Sequence, residues 1–438
     1  MSTLDVLKSG SRAGRRAVER LVRRGESVLD AKTLRKAEKI VAEVRERGDR
    51  ALLDYARKLD GAEADSAAGL ALVASPADSD PALLPAGFAE ALERAIVAVE
   101  RYHAPQVRTG YRLEEEGVAL EERVTPLRRV GVYVPGGRAS YPSTAVMTVV
   151  PARVAGVKEI AVATPPGAYR ANAALRFTLA RLGVTEIWGL GGAHAVAAFA
   201  YGTKTVRRVD KIVGPGNAWV TAAKKLVVGD VGIDGIAGPS EVVIVADPAA
   251  DPGDLAADLL AQAEHDPQAA AVLITTDAKL AKRVAAEVER QLAGLSTAET
   301  ARASLQNFGA ALVVEGLEEA LDLVERIAPE HLQLVGHEAE VLALHVRATG
   351  AIFLGSSTPE VFGDYVAGPS HVLPTCGSAR FASGLGVEDF LRRSHTLRFT
   401  AGAASHRAAA AATLADAEGL PAHAASARRR MGGPGGTG

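Results

Sequence analysis

Val130-Gly-Val-Tyr-Val-Pro-Gly-Gly137 is the stretch on which the reading of the fold turns. A short β-branched run, closed by proline and glycine and followed by an alanine-rich amphipathic segment, reads as a buried strand feeding a helix. The same pattern returns at Ile160-Ala-Val-Ala163, Ile187-Trp-Gly-Leu190 and Val209-Asp-Lys-Ile-Val213. This alternation predicts a parallel sheet covered on both faces. After Gly235 a second series begins, with strands expected at 242–246, 271–275, 310–314 and 351–354 and helices at 253–265, 278–292, 317–327 and 338–348. The chain therefore reads as α/β, with two such units and no tandem repeat of fixed period. Upstream, 12–60 is helical, 65–85 reads as a loop and 88–103 as an amphipathic helix. Beyond Gly384 helices are expected at 387–393 and 408–417, and the glycine-rich end from Arg428 to Gly438 is expected to be disordered.

Composition narrows the function class. The 438 residues are 48% hydrophobic and 23% charged, which is ordinary for a globular protein of two or three domains. A net charge of −2 gives no basic field for nucleic acid. The apolar runs are too short for a membrane span, and the first residues lack a signal-peptide core, so a cytoplasmic protein is expected. A single cysteine, Cys376, excludes an internal disulfide and a cysteine-based zinc cluster, so any metal must be held by nitrogen and oxygen.

Within this frame, Ile327-Ala-Pro-Glu-His-Leu-Gln-Leu334 sets Glu330 beside His331 just after a proline that should stop the preceding helix. Adjacent residues serve one site only on a turn or a first helical turn, and there the pair offers two proton acceptors of different strength. An exposed loop is the plainer alternative. Glycine clusters end three strands of the first series, at Tyr133–Gly137, Gly189-Leu-Gly-Gly192 and Gly214-Pro-Gly-Asn217. They could be plain βα turns or anion-binding edges, and none is a full dinucleotide fingerprint. Gln262 and His265 fall three apart on a helix, where they are either a polar helix end or a pair of ligands. Asp364 and His371 share a long Gly- and Pro-punctuated loop, and Glu418-Gly-Leu-Pro-Ala-His423 brings another acid and imidazole close together. Gln262, His265, Asp364 and His423 would form a hard nitrogen/oxygen set suited to zinc or a similar divalent ion.

Taken in order, Gly48-Asp-Arg-Ala-Leu52, Tyr133–Gly137, Gly214–Asn217, Ala237-Gly-Pro-Ser-Glu241, Gln262-Ala-Glu-His265, Ala328-Pro-Glu-His331, Gly368-Pro-Ser-His-Val-Leu-Pro-Thr375 and Glu418–His423 resemble the histidinol dehydrogenase family over about residues 20–427. The resemblance implies two Rossmann-like parallel-sheet domains with helical N- and C-terminal arms, in an intertwined homodimer with a shared active site. The expected division is an arm at 1–27, a metal and catalytic domain at 28–127 plus 236–382, an NAD-binding domain at 128–235 and a dimerisation arm at 383–438. It also implies NAD-linked oxidation of L-histidinol to L-histidine through L-histidinaldehyde, the last steps of histidine biosynthesis, with one zinc per subunit. Carried over residue by residue, the zinc ligands are Gln262, His265, Asp364 and His423, the last from the partner chain. The acid–base pair is Glu330 and His331. Further substrate contacts are Ser240, His371 and Glu418, and NAD contacts are Tyr133, His194 and Asn217. His194 stands where the family commonly has Gln, Ser370 where it often has Asn, and Cys376 is unusual in its turn. Two rival activities follow from the same residues: oxidation of another small alcohol by a paralogue, and zinc-assisted hydrolysis.

Overall fold

The computed structural model describes residues 3–27, 29–73, 78, 80–136 and 141–432. Gly137 and residues 433–438 of the glycine-rich end lie outside the described residues. The chain divides into a larger unit, residues 1–106 with 128–389, and a smaller one, 107–127 with 390–438.

The larger unit holds two six-stranded sheets. The first runs, in spatial order, Val6–Lys8, Ala310–Val313, Ala270–Thr275, Glu241–Ala246, His331–Val335 and Ala351–Leu354, with every neighbouring pair parallel. Its central strands are buried at every position, as expected of β-branched runs covered on both faces. Helices Pro252–Ala263 and Ala278–Leu292 bury Leu255, Leu259, Leu280 and Val284 in one layer. Helices Arg12–Val22 and Leu317–Ile327 bury Ala17, Leu21, Leu323 and Val324 in the other. Truncating one such leucine to alanine costs about 2–5 kcal/mol.

The second sheet runs Ala71–Leu72, Glu186–Gly189, Glu159–Thr164, Arg129–Tyr133, Lys211–Val213 and Gly232–Ile233, parallel except for its short first strand. Helices Ala31–Arg47, Asp49–Asp60, Gly192–Tyr201 and Ala218–Val227 share one core with Tyr133 and Trp188.

The strands expected for both series are present to within two residues. Four expectations are corrected. Residues 1–27 are not a free arm, because Val6–Lys8 is an edge strand of the first sheet, with Leu7 opposite Leu312. Residues 28–106 do not belong with the first sheet: their helices bury Val41, Val44 and Leu52 against the second. His331–Val335, expected as a turn, is a strand between Glu241–Ala246 and Ala351–Leu354. The expected helix 387–393 gives way to the strand Leu391–Phe399, which pairs antiparallel with Val118–Pro126. There the cross-strand partners, His395 opposite Glu122 among them, favour the ladder over an isolated helix.

The smaller unit comprises that pair, the strand Arg112–Glu115, and helices Ala401–Ala417 and Pro421–Arg428. Leu113, Leu120 and Leu397 stand in register across its three strands, and all three are exposed.

Candidate active site

A cleft of about 1420 Å³ opens in the larger unit, and the two sheets present opposite ends to it. From the second sheet come the carboxyl ends: Tyr133 closes one strand, Gly191 and Gly192 follow another, and Gly216 and Asn217 follow a third. From the first sheet come the amino ends. Ser240 precedes the strand beginning at Glu241, and Glu330 precedes the one beginning at His331. The helix Pro252–Ala263 runs back between strands, so its last turn delivers Gln262, and then His265, to that same amino edge.

The two acidic strand starts lock each other. The Glu330 N–H donates to Glu241 Oε1 at 3.1 Å, and the Glu241 N–H donates to Glu330 Oε2 at 3.3 Å. Glu241 is in turn paired with Arg24 at 2.7 Å, both side chains being buried, and it also accepts the Cys376 N–H at 2.8 Å. Ala328, in the left-handed region at φ 49°, turns the chain out of its helix and into this arrangement. Burial, and then the neighbouring Glu241 charge, hold the Glu330 carboxyl well above its ordinary range, while a hydrogen bond from Ser240 pulls the other way. Burial pushes His331 down to about 4, so its ring is a neutral acceptor at neutral pH. Its Nδ1 lies 3.2 Å from the Glu241 carbonyl oxygen. A carbonyl only accepts, so Nδ1 carries the hydrogen and Nε2 the lone pair.

Asp364 lies on the short helix Glu360–Tyr365, not on a loop, and its carbonyl accepts from His371 Nδ1 at 3.1 Å. His371 Nε2 then faces the Thr144 hydroxyl at 3.4 Å. Burial lowers the His371 pKa. Gln262 is completely buried, yet neither atom of its carboxamide has a hydrogen-bond partner. An unsatisfied buried amide costs about 1–3 kcal/mol, so this side chain is placed to bind something. Its amide oxygen, the His265 imidazole and the Asp364 carboxylate are the hard donors zinc accepts, and in that respect the residues fit such an ion. Among the described residues no group of three His, Cys, Asp or Glu is gathered for a metal, which leaves this set dependent on the amide and on a further donor. His423 and Glu418 are exposed residues of the smaller unit, on and just before the helix Pro421–Arg428.

At the opposite wall, the Tyr133 hydroxyl accepts the Gly192 N–H at 3.1 Å, and burial pushes its pKa to about 12. Asn217 caps the helix Ala218–Val227, accepting from Trp219 and Val220. His194 is engaged by Asp60, with Nε2 2.7 Å from a carboxylate oxygen that also accepts the Gly191 N–H.

The histidinol dehydrogenase family model matches residues 23–431. A histidinol dehydrogenase of Agrobacterium fabrum is 50% identical over 393 residues, covering 90% of this chain and 91% of the relative. One from Geobacter metallireducens is 49% identical over 398 residues, with 90% and 91% covered. The crystal structure of histidinol dehydrogenase from Elizabethkingia anophelis superposes with a TM-score of 0.88 at 31% identity, over 98% of both chains. The chain belongs to the histidinol dehydrogenase family.

Histidinol dehydrogenases are NAD-dependent oxidoreductases of histidine biosynthesis that use zinc. In and behind the cleft of this member lie residues whose roles the sequence does not single out. Arg24 and Glu241 clamp the strand starts, Asp60 holds His194, and Glu360 is a fully buried carboxylate against His331. One signal exists: Glu241 opens an otherwise apolar run, and a charge at the start of a buried strand needs a partner. Cys376 is held away from thiol chemistry, since burial pushes it up to about 12. Ser370 is used structurally, donating to the Met147 carbonyl and accepting from the Val372 N–H.

Proposed function

We propose that this chain oxidises L-histidinol to L-histidine through L-histidinaldehyde in the cleft between the two sheet edges, with His331 and Glu330 as its proton acceptors. The observation that carries the reading is the buried pair itself: a neutral imidazole with its Nε2 lone pair free, beside a carboxyl held up by burial. When bound, zinc would hold the substrate's imidazole and amine, and NAD would take the hydride from the carbinol carbon.

In the first oxidation His331 Nε2 accepts the hydroxyl proton as hydride leaves the carbon. Glu330, steadied by Ser240, orients water at the aldehyde carbon and accepts its proton while the protonated His331 returns its own to the carbonyl oxygen, giving the hydrate. In the second oxidation the ring, neutral again, takes a hydroxyl proton as the second hydride departs, leaving the carboxylic acid, which ionises to the carboxylate. Gln262, His265 and Asp364 would hold the zinc, completed by His423 of the partner subunit, while Ser240, His371 and Glu418 contact the substrate. Tyr133, His194 and Asn217 line the cofactor side, His194 by setting the Gly191 turn through Asp60.

A homodimer with a shared site is supported by the exposed Leu113, Leu120 and Leu397 row, an apolar surface that a second copy would cover. Among the described residues no helix is long and apolar enough to cross a membrane, which suits a cytoplasmic biosynthetic enzyme.

The deciding measurement joins metal analysis to an NADH-release assay. Two NADH per histidinol consumed, with one zinc per subunit, is the expected result, and histidinol turnover without NADH would end the reading in favour of hydrolysis. Mixing His423→Ala with His331→Asn chains under subunit exchange should regain activity in heterodimers. No recovery would remove the shared site.

A further inference from the structure

Glu360 opens the short helix that also carries Asp364, and its side chain is only 2% exposed. Its Oε1 stands 3.3 Å from His331 Nδ1, and its Oε2 has no hydrogen-bond partner. Burial first, and then the charges of Asp364, Glu330, Asp258 and Glu241, raise its pKa well above the ordinary carboxylate range, so it takes on negative charge only against a positive partner. Among the described residues its one ion-pairing partner is the His331 ring. A buried carboxylate ringed by acids is costly, and a glutamine there would keep the same shape without that cost.

The reaction supplies a reason for the charge. With Nδ1–H turned to the Glu241 carbonyl, His331 takes the substrate proton on Nε2 and becomes an imidazolium in a site where burial opposes it. A counter-charge must then sit at the Nδ1 edge. Glu330 is at 3.8 Å, but its oxygens are engaged by Ser240 and the Glu241 N–H for its own task. We infer that Glu360 is a positioning residue for this reaction, holding the His331 ring by its Nδ1 edge and balancing the positive charge the ring acquires on taking a proton. Serine hydrolases use a buried aspartate behind a histidine for the same electrostatic purpose.

The inference rests on His331 being the base, and a double-variant cycle separates the two claims. E360Q should lower kcat for histidinol about 10- to 100-fold, with KM for histidinol within about twofold. In the H331N background the same substitution should cost nothing further, because a residue that acts through the ring has nothing left to act on. E360D, which keeps a carboxylate on a shorter stem, should retain more activity than E360Q. An E360Q enzyme with wild-type kcat, an equal loss in both backgrounds, or an E360D no better than E360Q overturns the inference while leaving His331 in place. An H331N enzyme with wild-type kcat instead overturns the underlying reading.

Discussion

The two sheets share one architecture but meet the cleft by opposite ends, and they bring different materials to it. The second sheet offers backbone. Its strands stop in glycine-bearing turns, so turn backbone and helix starts form the wall, as is usual at the carboxyl edge of an open α/β sheet. The first sheet offers side chains at its amino edge, where Glu241, Glu330 and His331 are fixed by a neighbouring strand, the Arg24 guanidinium and the adjacent main chain. One edge is suited to holding a long anionic cofactor, and the other to moving protons.

If that division of labour is right, substitutions at the two edges should damage different kinetic constants. The largest effect belongs to the amino edge: H331N should lower the rate of the first oxidation about 10²- to 10⁴-fold while zinc content and NAD affinity persist. E330Q should act mainly on the second half, slowing aldehyde oxidation about 100-fold, with NADH release from histidinaldehyde as the readout. Wild-type aldehyde oxidation by E330Q would break the assignment.

A smaller effect concerns stability. The folded pKa of His331, about 4, lies below its ordinary 6.5, so the folded state favours the neutral ring. Its contribution is fully present above 6.5 and is lost as pH falls from there towards 4, by about 3 kcal/mol. Glu330, Glu360, Asp364, His265 and His371 also face the ring, so the comparison is with H331N. Urea midpoints of metal-free wild type and H331N at about pH 7.5 and about pH 4.5 should differ in their pH dependence, and parallel losses would assign the effect elsewhere. The smallest expected change is at the carboxyl edge. D60N loosens the Gly191 turn and His194, and should raise KM for NAD about threefold to tenfold with kcat nearly unchanged. A fall in kcat alone would mean the two edges are not separable.

What is legible in the sequence follows the same contrast. The carboxyl-edge turns are written in consecutive residues, glycine after a β-branched run, so local pattern alone is enough to place Tyr133, Gly191 and Asn217 at strand ends. The amino edge is a matter of sheet order, which joins Glu241 to Glu330 across 89 positions, and local pattern does not carry it. His331–Val335 escapes for a related reason. With His331 and Gln333 pointing the same way along a buried strand, its polar alternation resembles a surface turn, and only the fold reveals that Gln333 Nε2 donates to Asp258 at 2.8 Å. Arg24 reads as part of a solvated arm because its partner, Glu241, lies 217 positions away.

The strand Val6–Lys8 has a consequence for how the enzyme is made. It leaves the ribosome roughly 300 residues ahead of Ala310–Val313, its neighbour in the sheet, so it must wait unpaired while most of the chain is still being synthesised. Arg24 waits with it, and the carboxylate it neutralises cannot be buried at full strength until that docking is complete. Acquisition of activity during biogenesis is thereby tied to one of the longest-range closures in the molecule, and that is the stage at which a chaperone would have most to protect.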